Sequence, residues 1–220
     1  MATKILINTL NLSPESEQIL NRLKSRGWKI ICYIESALQG NASSNFEEQK
    51  ISFRDQRFSK DSGIVFHELL HFDLYDKGYP TITSKFGNTY SIFMLNDVFQ
   101  HIIMNPEIVK TGSSIKEHEE PATLKLITDL VCPHPKLTED EELFSAILYI
   151  RAHFLEIEEA MVAPLKEHIQ KNNKRLKMSQ ILEAINRFPK PDCSINEYTE
   201  CLNNVLFALD LKNEVIVKKP

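Results

Sequence analysis

Phe66-His67-Glu68-Leu69-Leu70-His71-Phe72 is the stretch around which the chain is organised. It is an H-E-x-x-H sequence inside an apolar run. In a helix, residues four apart share a face, so His67 and His71 both reach one point while Glu68 stands one position round. Two imidazoles aimed at one point suit a metal ion, and a carboxylate beside them suits a proton acceptor. Upstream, Ser59-Lys60-Asp61-Ser62 offers several helix caps, and downstream Gly78 is a natural stop. The spacing therefore predicts a helix from about Ser62 to about Tyr75.

The residues around and between the ligands, Val65, Phe66, Leu69, Leu70 and Phe72, are all uncharged. In this pattern of uncharged-H-E-uncharged-uncharged-H-uncharged the chain resembles the zincin metallopeptidase superfamily. Asp73, where zincins often have another apolar residue, departs from it. The resemblance covers this helix firmly and the remainder loosely. It implies a Zn2+ cofactor held by His67 and His71, with Glu68 as general base for hydrolysis of a peptide bond.

A catalytic zinc takes three protein ligands and a water, so a third ligand is required. The metzincin extension is absent, since Phe72, Asp73, Leu74, Tyr75, Asp76 and Lys77 follow His71. The other zincin pattern takes its third ligand from a later helix. Here a second strongly apolar helix starts at Asn88 or Ser91, runs through Ile92, Phe93, Leu95, Val98, Phe99, Ile102 and Ile103, and is stopped by Asn105-Pro106. Asp97 and His101 lie four apart on it. A polar stripe on so apolar a helix needs a reason, because an unpaired buried ionisable group is costly. His101 is the preferred third ligand, with Asp97 hydrogen-bonded behind a ligand imidazole. The reverse, Asp97 as ligand and His101 placed to stabilise the transition state, stays open. The Asn-Glu-x-x-x-Asp pattern of glutamate-ligand zincins is not matched, because this helix has Asn96-Asp97 and no Glu. Tyr75, Tyr90 and His101 are candidates to steady an oxyanion. His118, with Glu119 and Glu120 in a charged and solvated loop, is a distant alternative ligand; His134, His153 and His168 fall outside the site.

Working outward, Thr3 to Thr9 reads as a short strand, Ser13-Pro14 opens a helix closed by Gly27, and Trp28 to Ile34 reads as a buried strand. A strand, a helix and a strand in succession suggest a parallel pair with a right-handed crossover. Gln39 to Gln49 reads as a flexible polar loop that could meet a substrate. Lys50-Ile51-Ser52-Phe53-Arg54 alternates as an edge strand would, and zincins offer such an edge to a peptide. Thr81 to Thr89 is too polar to assign. From Pro121 the pattern is helical: Ala122 to Val131; a long helix from the capping box at Thr138 to about Lys174, kinked or split at Pro164; Ser179 to Phe188; and Ser194 to Leu209. Glu214 to Val217 could be a last strand.

The expected class is α+β: a small mixed sheet with the motif helix, then a predominantly helical C-terminal half. Residues 1–112 would form the metal-binding core and 113–220 a helical region packed on it, or the whole a single domain. With 220 residues, 42% apolar and 25% charged, the composition is that of an ordinary globular protein. A net charge of −4 offers no basic face for nucleic acid. The first apolar stretch is too short for a signal-peptide core and no run is long enough to span a membrane, so a cytoplasmic protein is expected. Cys32, Cys132, Cys193 and Cys201 contain no C-x-x-C pair, as expected of reduced thiols. The activity expected is that of a zinc metallopeptidase acting on a peptide or protein substrate, with self-association or a regulatory protein as roles open to the helical half. The alternatives are a non-catalytic protein that keeps the motif helix while its helical half binds a partner, and a metal-dependent amidohydrolase.

Overall fold

A computed structural model describes residues 2–38, 41–85, 89–131 and 138–219. Gln39, Asn88, Cys132 and His134, on which sequence expectations fall, lie outside the described residues. The fold is α+β, with a mixed four-stranded sheet, a two-stranded sheet and a mainly helical C-terminal half. The chain divides into two compact units, Met1–Tyr79 with Lys110–Ser113, and Pro80–Val109 with Ser114–Lys219. Among the described residues no helix is long and apolar enough to cross a membrane.

In the first unit the strands β1 (Ala2–Ile5), β2 (Ile31–Glu35), β3 (Ala42–Asn45) and β4 (Lys50–Phe53) lie in the order β1-β2-β4-β3. Helix α1 (Pro14–Ser25) joins β1 to β2, and Ser13 caps it by accepting from Ser16 N. The expected parallel crossover is not formed. β1 and β2 are antiparallel, with Ile5 opposite Cys32. The chain between them, a 3-10 turn (Ile7–Thr9), extended residues and α1, returns so that β2 starts beside the end of β1. β2 and β4 are the parallel pair.

Two further expectations are corrected here. Lys50 to Phe53 is not an edge strand, because β4 lies between β2 and β3 with Ile51, Ser52 and Phe53 buried. The edge on that side is β3, formed within the stretch read as a flexible loop; the other edge is β1. Its polar residues Ser43, Ser44 and Asn45 hid it, since side-chain polarity says nothing against a strand whose backbone pairs with β4.

The short helix α2 (Gln56–Ser59) leads to α3 (Ser62–Lys77). Asp61 caps α3 by accepting from Gly63 N and Ile64 N. Gly78, at φ 106°, ends it in the left-handed conformation that only glycine adopts without strain, with Tyr79 N returned to Leu74 O. Val65, Leu69 and Phe72 are fully buried. Asp73, the departure from the zincin pattern, is also buried, and its carboxylate is held by Arg22 of α1 and by Lys77 at 2.8 Å. Trp28, Phe46, Phe72 and Tyr75 form an aromatic cluster at the C-terminal end of the helix. Cys32 is buried in β2, and desolvation pushes its thiol up to about 12.

The second unit begins with β5 (Thr81–Ser84), paired antiparallel with the last strand β6 (Val215–Lys218). Between them come α4 (Thr89–Lys110), α5 (Ile115–Val131), α6 (Glu139–Phe154), α7 (Glu159–Asn172), α8 (Met178–Ile185) and α9 (Ile195–Ala208). Pro106, expected to stop its helix, lies inside α4, and Pro164, expected to kink or split the long helix, lies inside α7, as Pro121 lies inside α5. All three are exposed, on faces where water can stand in for the bond that proline cannot make. The long helix divides earlier than Pro164. Glu156 takes φ 52°, and Glu156 N and Ile157 N return to His153 O and Ala152 O, closing α6. α5 starts at Ile115, so His118 and Glu119 are helical rather than in a loop. Phe99 of α4 stacks on Phe188 at 4.2 Å and meets the buried Tyr198 of α9 edge-on. Cys193 and Cys201 are both thiols.

Removing Asp73 leaves its partly exposed cationic partners free to resolvate but deletes the tie between α1 and α3. Asp73→Ala is expected to lower the unfolding free energy by about 1–3 kcal/mol, with no loss of helicity in the native state, as read by urea denaturation. An unchanged midpoint would show that the pair contributes nothing.

Candidate metal centre

Helix α3, in the first unit, carries one pair of candidate ligands. His67 Nε2 and His71 Nε2 are 3.0 Å apart, with ring centroids at 4.8 Å and planes tilted by 49°. Two nitrogens each about 2.0–2.1 Å from one tetrahedral zinc would be roughly 3.3 Å apart, so the rings already converge as such an ion requires. Burial of the helix on both flanks restricts the rotamers: His71 is buried and His67 half-buried. Glu68, one position round, is also buried. Its carboxylate Oε2 accepts from Ser44 Oγ at 2.6 Å, and the same hydroxyl lies 3.1 Å from the Glu68 carbonyl oxygen. Ser44 is on the edge strand β3, so the sheet edge and the expected general base are tied directly. Sequence reading missed Ser44, because a serine in a polar stretch carries no signal of its partner.

Helix α4, in the second unit, carries the other pair of candidate residues. Asp97 and His101 lie on one face, with His101 Nε2 3.1 Å from Asp97 Oδ1. His101 Nδ1 is 3.2 Å from Glu119 Oε1 on α5. Arg151 of α6 completes a ring, with Nη2 3.0 Å from Glu119 Oε2 and Nη1 3.9 Å from Asp97 Oδ2. Burial by itself would push the His101 imidazole down, but Asp97 and Glu119 together outweigh it and hold the ring protonated up to about 10. Asp97, expected behind a ligand imidazole, meets the His101 ring at Nε2. The group at Nδ1, remote from the Asp97 side of the ring, is Glu119.

Glu119 gave no usable signal, lying in the run Lys116-Glu117-His118-Glu119-Glu120. Arg151 gave one: it interrupts the buried segment Ala146–Ala152 of α6. A lone cation in an apolar run needs partners. His118 and His153 are exposed, and His168 is buried with Asn172 Nδ2 3.2 Å from its Nδ1. Tyr75 is engaged in the aromatic cluster, stacked on Phe46, and Tyr90 is exposed. Comparison of the chain with protein families, with curated proteins and with solved structures finds no match.

The His101 ring gives a pH prediction for protein treated with a chelator. Its folded pKa lies above the 6.5 of an ordinary histidine, so the folded chain keeps a proton that the unfolded chain gives up. The contribution is full below about pH 6.5 and is lost as pH rises through about 10. Thermal melts should therefore fall in midpoint across that window, and His101→Gln should reduce the slope. The same slope in the variant would assign it to other groups.

Proposed function

We propose that the protein is a zinc-dependent metallopeptidase in which His67, His71 and His101 hold the ion and Glu68 is the general base. The observation that carries this reading is the convergence of the two Nε2 atoms on α3, together with a buried Glu68 aligned by Ser44. The donor set suits zinc: His67, His71, Asp97 and His101 each offer one ligand atom of a type that binds it. Bound zinc lowers the pKa of water toward neutrality and polarises a carbonyl. Glu68 takes the proton of the attacking water and returns it to the leaving amine. Ser44 restrains the rotation of the Glu68 carboxylate while that proton is held. β3, as an edge of its sheet, is where an extended peptide adds by backbone hydrogen bonds.

One observation favours a second assignment of the third ligand. Asp97 Oδ1 meets the same ring nitrogen, Nε2, that His101 would give to a metal. Asp97 is therefore the competing ligand, with His101 then donating to the substrate oxyanion.

Glu68→Gln should lower hydrolysis of a peptide library by about 10²–10⁴-fold with zinc content unchanged. His67→Ala and His71→Ala should each lose the zinc, as measured by elemental analysis of the purified protein. Retained zinc in both His101→Ala and Asp97→Ala would overturn the assignment of the third ligand to α4. Wild-type protein with stoichiometric zinc that cuts no peptide in the library would overturn the peptidase reading.

A further inference from the structure

Resting on that reading, we propose that Glu119 and Arg151 are positioning residues for the third ligand: Glu119 fixes the His101 ring through Nδ1, and Arg151 fixes Glu119. The helical half of the chain would then be part of the metal centre, because the residues that aim the ligand come from α5 and α6.

Both ring nitrogens of His101 meet a carboxylate, Nε2 at 3.1 Å from Asp97 Oδ1 and Nδ1 at 3.2 Å from Glu119 Oε1. A metal would displace the proton on Nε2, the nitrogen on the Asp97 side, and Glu119 would keep the remaining proton on Nδ1. A carboxylate behind a ligand imidazole both sets the tautomer and raises the basicity of the donor nitrogen. Glu119 cannot turn away freely, since its second oxygen is held by Arg151 Nη2 at 3.0 Å. The same guanidinium reaches Asp97 Oδ2, so one cation braces both carboxylates that flank the ring.

The arrangement is a costly way to fill space. The side chains of Asp97, His101, Glu119 and Arg151 are between 8% and 16% exposed. Arg151 Nε is buried with no hydrogen-bond partner among the described residues. Buried ion pairs rarely stabilise more than apolar residues of similar volume would, so a four-membered ring of them points to a demand for orientation.

The test uses the full-length protein and zinc alone as the probe. Zinc affinity is measured by competition with a chelator for wild type, Glu119→Gln, Arg151→Lys and Glu117→Gln, the last removing an exposed charge from the same helix. Glu119→Gln should weaken zinc binding by about 10–100-fold, and Arg151→Lys by less, with Glu117→Gln at the wild-type value. Cobalt substitution adds a readout that a merely structural role would not move. The visible spectrum should shift in Glu119→Gln and stay unchanged in Glu117→Gln. Should Glu119→Gln fail to fold, the His101 Nδ1 proton in zinc-loaded wild type decides, being hydrogen-bonded and slow to exchange if Glu119 holds it and absent or fast if not. Wild-type affinity and spectrum in Glu119→Gln would overturn the positioning role alone. No zinc binding by the wild type would overturn the metallopeptidase reading and this inference with it.

Discussion

The cost of burying an ionisable side chain is the constraint on which both units depend. Helix α3 is enclosed along nearly its whole length, yet it carries Glu68, His71 and Asp73 among its buried residues. Each needs a partner, and the partners come from neighbouring elements. Arg22 brings α1 to Asp73, and Ser44 brings β3 to Glu68. An apolar helix would pack in many rotations of similar energy. One with fixed polar demands packs in far fewer, and that restriction sets which way the common face of His67 and His71 is turned.

The same constraint organises the second unit around α4. His101 and Asp97 lie on a helix whose other faces carry Ile92, Leu95, Val98 and Phe99, all buried. Their charges are answered by Glu119 from α5 and Arg151 from α6. Four helical side chains of alternating sign close into a ring in which each carboxylate meets one imidazole nitrogen and one guanidinium nitrogen. In low dielectric such a ring is held strongly once complete and is costly when broken. That asymmetry suits a group that must present one nitrogen in one direction.

Function in this reading follows from restraint more than from reactivity. Histidine and glutamate are ordinary reagents, and a metal site gains from them only when their rotamers are set in advance. Ser44 acts on Glu68 as Glu119 acts on His101: in both cases a side chain from an adjacent element limits rotation. The proposed chemistry therefore depends on residues with no place in any motif.

Much was legible without coordinates. The bounds of α3 followed from Asp61 and Gly78, the cap of α1 from Ser13-Pro14, and the last helix and strand from periodicity, because caps and apolar spacing act within a few residues along the chain. The pairing of Asp97 with His101 followed from helical spacing for the same reason. Other features were not legible. The antiparallel pairing of β1 and β2 depends on the path of the chain between them, and the interior place of β4 depends on β3, a strand made by backbone pairing and not by side-chain pattern. The three internal prolines depended on which face of each helix met water. Glu119 and Arg151 were separated from His101 by whole helices, and a contact of that range leaves no period in the sequence. What the sequence by itself determined was the local geometry of His67, Glu68 and His71. What only the tertiary structure decided was which groups hold them and their counterparts in place, since hydrogen bonds between elements exist only once the elements have packed.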